Sequence, residues 1–127
     1  QVSEETLKAN PTLDAIVTLT AATTRGALST IDSNPAYRSV KVIGFDPDAL
    51  QFSSPSLDSV IIQNMPEMGG RAVSLIHDLR EGKSVSSRIE LEPMLVTREN
   101  LNSDEVGSWT SMDYRPGSLH LDWGNKP

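Results

Sequence analysis

Val40-Lys41-Val42-Ile43-Gly44-Phe45-Asp46-Pro47 is the stretch whose reading decides the fold. Val40, Val42 and Ile43 are β-branched, and the run is apolar on both faces apart from Lys41. A strand covered on both sides of a sheet reads this way. The run stops at an acid followed by proline. In parallel sheets, ligands bind beyond the carboxyl ends of the strands, so Asp46 stands where a ligand would be held. An Asp before Pro is also an ordinary start of a turn or helix, with the Asp as cap. Spacing leaves both readings of Asp46 open.

The flanking segments extend the pattern in both directions. Asp14-Ala15-Ile16-Val17-Thr18-Leu19-Thr20 is apolar on both faces and ends in polar residues, which predicts a central strand. Ala21 to Ile31 then reads as a helix, with Gly26-Ala27 as a small face suited to close approach to a sheet, and Asn34-Pro35 ends it. A helix between two strands implies a parallel pair with a right-handed crossover. Upstream, residues 3–10 predict a short helix capped by Ser3.

Downstream, residues 47–55 read as a loop with one helical turn, and Leu57 to Gln63 as a third strand. Met65 to Glu81 gives the clearest helical spacing, with Met65, Met68, Ala72, Val73, Leu75, Ile76 and Leu79 on the apolar positions. Met65 and Met68 read as core. Pro66 and Glu67 suit its first turn, and Gly82 suits its C-terminal cap. Gly69-Gly70 inside it costs about 1 kcal/mol per glycine relative to alanine, which a closely passing backbone or ligand would explain. Residues 88–96 predict a last strand, with Pro93 at an edge or bulge. The fold class is α/β: a layered parallel sheet with flanking helices. The pattern holds over residues 1–102. Residues 103–127 read as a polar tail in which Leu119, Leu121 and Trp123 alternate as one short strand.

Three successive predicted strands end in a polar residue: Thr20, Asp46 and Gln63. In a parallel sheet all of them lie on one edge. An ionised Asp accepts several hydrogen bonds, Gln both donates and accepts, and a Thr hydroxyl does either. Such a set suits a neutral ligand rich in hydroxyls, such as a sugar. It suits phosphate poorly, because no Lys, Arg or glycine-rich nest stands beside it. Gln63 also reads as a satisfied strand end, and Thr20 first of all as the cap of the helix that follows it.

Composition narrows the classes further. The chain has 127 residues, a formal net charge of -6 and no cysteine. The acidic balance argues against a nucleic-acid contact, whose phosphates need a basic face. Without cysteine there is no disulfide or thiolate metal site. Two distant histidines, His77 and His120, have no metal-ligand spacing, and no nucleophile-elbow pattern is present. No cofactor and no catalysis are expected. No run reaches the roughly 18 apolar residues of a membrane span. The sequence begins at Gln1, so a mature or cut product is expected, its targeting segment lost.

The succession Leu13-Asp14-Ala15-Ile16-Val17, Arg25-Gly26-Ala27-Leu28, Val40 to Asp46, Val60-Ile61-Ile62-Gln63, Met68-Gly69-Gly70-Arg71-Ala72-Val73 and Leu95-Val96-Thr97-Arg98-Glu99-Asn100 resembles the C-terminal part of type I periplasmic sugar-binding proteins. Ribose-binding proteins and the sugar-sensing cores of LacI-type repressors share the pattern. The ending at residues 95–100 is closer to the transport proteins. The resemblance implies a partial lobe of a two-lobed, non-catalytic receptor that closes over a sugar. It implies that Asp46 and Gln63 bind sugar hydroxyls, with Thr20 as a weaker contributor. It further implies an extracytoplasmic location and a membrane transporter or sensor as partner. The alternative is the cytoplasmic effector core of a LacI-type repressor. Two departures stand out. The family commonly has Asn-Asp where this chain has Thr20-Ala21, and its members are roughly twice as long. The helix from Met65 would pack in the other lobe, so alone it leaves an apolar face open to homodimerisation.

Overall fold

The computed structural model describes residues 2–46 and 54–110. In chain order these form helix α1 (Val2–Ala9), strand β1 (Ala15–Val17), helix α2 (Ala21–Asp32), a 3-10 turn (Pro35–Tyr37), strand β2 (Lys41–Phe45), strand β3 (Leu57–Ile62), helix α3 (Met65–Arg80), strand β4 (Met94–Thr97) and helix α4 (Asp104–Thr110). The strands make one sheet in the order β1-β2-β3-β4. β1, β2 and β3 run parallel, and β4 runs antiparallel to β3. The parallel sheet expected from the sequence therefore covers three strands and ends in an antiparallel fourth. The predicted loop over residues 47–53 and the predicted strand over 119–123 lie outside the described residues.

The core lies between α2 and the sheet. Ala21, Thr24, Ala27, Leu28 and Ile31 recur at helical spacing and form the buried face of α2, which packs on β2. Val42, Leu57, Val60, Ile62 and Val96 are fully buried in the strands. Leu7 of α1 and Val106 of α4 join the same cluster. α4 is an element that the sequence pattern does not announce: only Val106 of this seven-residue helix is buried, too little to set a period.

Several expectations are corrected. β1 is an edge strand, with Val17 63% exposed, rather than the central strand its apolar faces predict. A central strand pairs on both edges, and among the described residues none pairs with the free edge of β1. Ser3 lies inside α1 rather than capping it. Residues 88–93 are not in a strand; β4 begins immediately after Pro93, which has no N–H for a ladder. Gly26 is exposed, and nothing lies within 4 Å of a Cβ built on it; Ala27 is the small residue buried against the core.

α3 departs most. It has the predicted period, an Asn64 N-cap and a Schellman-type end at Gly82, whose φ is 74°. Yet none of its residues is buried, and Met65, Ile76 and Leu79 are all more than half exposed. Helical periodicity says which side chains share a face, not what covers that face. At its C-terminal end, Lys83 bridges Asp78 and Glu81. The Glu81 carboxylate beside it, then Asp78, hold the Lys83 ammonium above its ordinary range. These groups are exposed, so solvent screens the pair strongly. No helix among the described residues is long and apolar enough to cross a membrane.

The glycine pair of α3 has no close neighbour either, since nothing lies within 4 Å of a Cβ at Gly69 or Gly70. Gly69→Ala and Gly70→Ala should therefore each stabilise this chain by about 0.5–1 kcal/mol. Denaturant titration of the two variants checks this. A loss of stability would mean that something packs against the pair after all.

Candidate functional site

β1, β2 and β3 are parallel, so their carboxyl ends share one edge, and the segments that leave them carry Thr20, Asp46 and Gln63. The β1 exit is set first. The Thr18 N–H donates to Ile43 O at 3.0 Å, holding the chain to β2 one residue past the end of β1. Thr20 then adopts extended backbone as the N-cap of α2. Its hydroxyl accepts from Thr23 N–H at 3.2 Å, and the Thr23 hydroxyl accepts from Thr20 N–H at 3.1 Å. This reciprocal box satisfies two donors that a helix start leaves open. Thr20 is exposed, but its hydroxyl is engaged by the cap.

Asp46 follows β2 directly and is the one non-glycine residue with positive φ among the described residues, at 79°. Asp tolerates this left-handed region better than most residues, yet such positions cluster at functional sites. Its N–H donates to Ile61 O at 3.0 Å, which holds the turn to β3. Its carboxylate accepts a long hydrogen bond, 3.4 Å, from the N–H of Ala21 at the start of α2. α2 has no acid in its own first turn, so Asp46 supplies the negative charge that a helix N-terminus favours. The capping reading of Asp46 thus has a structural counterpart, although the helix concerned is the preceding one. A carboxylate has about four acceptor positions, and this one long contact leaves most of them open.

Gln63 leaves β3 half-buried. Its backbone carbonyl accepts from Met65 N–H at 2.9 Å, but its side-chain amide makes no hydrogen bond with the described residues. It lines an open cleft of about 310 Å³ between the start of α3 and residues 89–93, together with Met68, Leu75, Ile89 and Leu91. No hydrogen bond joins Gln63 to Asp46 or Thr20. The structure joins Asp46 to Ala21, the residue after Thr20, and leaves Gln63 one strand further along the same edge.

Two residues under this edge were not singled out from the sequence. Thr18 and Thr24 are both buried, and their hydroxyls lie 2.7 Å apart. Thr24 also reaches Thr20 O at 2.8 Å and Phe45 N–H at 3.4 Å. The sequence signal for Thr24 is a Thr on the buried face of a helix whose other buried residues are Ala, Leu and Ile. Among the described residues, no group of three or more His, Asp or Glu side chains is placed to hold a metal ion.

Neither a family model nor a curated protein matches the chain. Solved structures do. A carbohydrate transporter solute-binding protein from Agrobacterium radiobacter, in complex with D-arabinose, superposes with a TM-score of 0.76 over 87% of this chain at 22% identity. A solute-binding protein of an ABC transporter from Agrobacterium vitis, with bound D-fucose, does so with a TM-score of 0.74 over 84% at 23% identity. The Caulobacter myo-inositol-binding protein, bound to myo-inositol, gives a TM-score of 0.67 over 84% at 27% identity. In each comparison this chain covers 38% of the other protein's length.

Proposed function

We propose that this chain, which has the fold of part of a type I periplasmic sugar-binding protein, is the ligand-binding portion of a carbohydrate receptor. It holds a small sugar or cyclic polyol without catalysis and acts outside the cytoplasm with a membrane transporter of the ABC type. Asp46 is the principal anchor for sugar hydroxyls, Gln63 the second, and Thr20 a weaker contributor through whatever its cap leaves available. The observation that carries the reading is Asp46: a half-buried carboxylate with positive φ at the carboxyl edge of three parallel strands. Such a group can accept hydroxyl protons while rigid backbone fixes its direction. The rest of the site, and the surface that covers α3, belong on this reading to the part of the receptor that this chain does not span.

Calorimetric titration of the protein, at the full length its gene encodes, with D-arabinose, D-fucose and myo-inositol tests the proposal. Saturable binding of at least one is expected. A protein that ignores all three and binds an amino acid instead would replace the sugar reading. Gln63→Ala supplies a second check. Its amide has no hydrogen bond within the described residues, so the variant should melt like wild type while sugar affinity falls by about 5- to 30-fold.

A further inference from the structure

We infer that Thr24 is a positioning residue for recognition by Asp46, an inference that rests on the reading of Asp46 just given. Thr24 is fully buried on α2, and its single hydroxyl meets three elements at once. Proton accounting orders the contacts. Both carbonyls in reach already accept a backbone N–H, Ile43 O from Thr18 and Thr20 O from Thr24, but the Thr24 hydroxyl lies nearer its carbonyl, at 2.8 Å, than the Thr18 hydroxyl does to its own, at 3.1 Å, which favours sending the Thr18 hydroxyl proton to Thr24. Thr24 then gives its own proton to Thr20 O and accepts from Thr18 and from Phe45 N–H.

Two of these contacts bear on Asp46. Phe45 is the residue before it. The amides of Val42 and Asp46 donate toward β3, while that of Lys41 donates toward β1. By strand alternation the Phe45 N–H also points toward β1, which has already ended at Val17. The Thr24 hydroxyl takes its place there. The bond to Thr20 O lies within the first turn of α2, doubling the Thr24 N–H bond to the same carbonyl, and together with the bond from Phe45 N–H it ties that turn to β2. The Asp46 carboxylate reaches the Ala21 N–H across that junction. Without the hydroxyl, Phe45 N–H loses its buried acceptor and the Thr18 hydroxyl one of its two partners, and from this side Asp46 keeps only the long contact with Ala21 N–H. A displacement of the carboxylate by a fraction of an ångström is enough to weaken a set of directed hydrogen bonds.

Thr24→Val keeps the shape and removes the hydroxyl; Thr24→Ser keeps the hydroxyl. Both are compared with wild type and with Val96→Ala, a buried change in β4, in the full-length protein. The sugar used is whichever of D-arabinose, D-fucose and myo-inositol wild type binds most tightly. Thr24→Val should weaken binding by about tenfold or more and Thr24→Ser by less than about threefold. Val96→Ala should lower the melting temperature with no change in affinity. In parallel, NMR should show faster exchange at the Phe45 and Asp46 amides and an altered HN–Hα coupling at Asp46 in Thr24→Val alone. Affinity and Asp46 coupling both unchanged in a folded Thr24→Val protein would overturn the inference. If wild type binds none of the sugars, the sugar reading fails, and the NMR comparison still decides whether Thr24 positions Asp46.

Discussion

Asp46→Ala is expected to weaken sugar binding by about 100-fold or more. A hydrogen bond to a charged group contributes roughly 1.5–3 kcal/mol, and a carboxylate at a sugar site accepts more than one. Two further variants separate charge from backbone. Asp46→Asn keeps size, tolerance of positive φ and one acceptor oxygen, and should lose about tenfold. Asp46→Gly relieves the backbone at φ 79° and removes the carboxylate, and it should bind as weakly as Asp46→Ala. If Asp46→Gly bound like wild type, the carboxylate would be a capping group alone. All three also remove or weaken the contact with Ala21 N–H. A charge at a helix N-terminus contributes about 0.3–1 kcal/mol, so each should melt slightly below wild type. Calorimetry and thermal melts on the same samples keep the two effects apart.

The largest effect on stability should come from Ile31→Ala. Ile31 is fully buried at the C-terminal end of the buried face of α2, the largest side chain on that face beside Leu28. Removing its buried carbons loses their transfer free energy and leaves a cavity that a close-packed core fills only in part, about 2–5 kcal/mol. Ile76→Ala makes the same chemical change on α3, where Ile76 is 59% exposed. In the 127-residue chain it should change stability by less than about 0.5 kcal/mol. The two isoleucines are indistinguishable by residue type and both lie on helical apolar positions, so the contrast isolates packing from composition. On the proposed reading, Ile76→Ala becomes costly in the full-length receptor, where the apolar face of α3 is covered. Denaturant unfolding of both variants in both chain lengths measures this directly.

The contrast also marks what was legible in the sequence. The strand at Val40 to Phe45, the helix from Ala21 and the acid at position 46 were readable because local period and a following proline fixed them. The parallel order followed from an intervening helix. What the residue pattern could not supply were relations between elements: that β1 has a free edge and that β4 turns antiparallel, while the open face of α3 followed from the resemblance and not from its period. α4 was hidden because one buried valine leaves no period. At the site, residue types and strand ends placed Asp46, Gln63 and Thr20 on one edge. The bond from Ala21 N–H to Asp46 and the buried hydroxyl of Thr24 were invisible because they join residues more than 20 positions apart. The Gly69-Gly70 pair misled in the other direction, since its local cost implied a neighbour that the described residues do not provide.

The most direct test of the central claim is a crystal structure of the full-length protein with the sugar that it binds most tightly among D-arabinose, D-fucose and myo-inositol. The account predicts the Asp46 carboxylate, still at positive φ, within hydrogen-bond distance of at least one sugar hydroxyl, and the Gln63 amide on another. A sugar bound elsewhere, with Asp46 contacting only the start of α2, would contradict it.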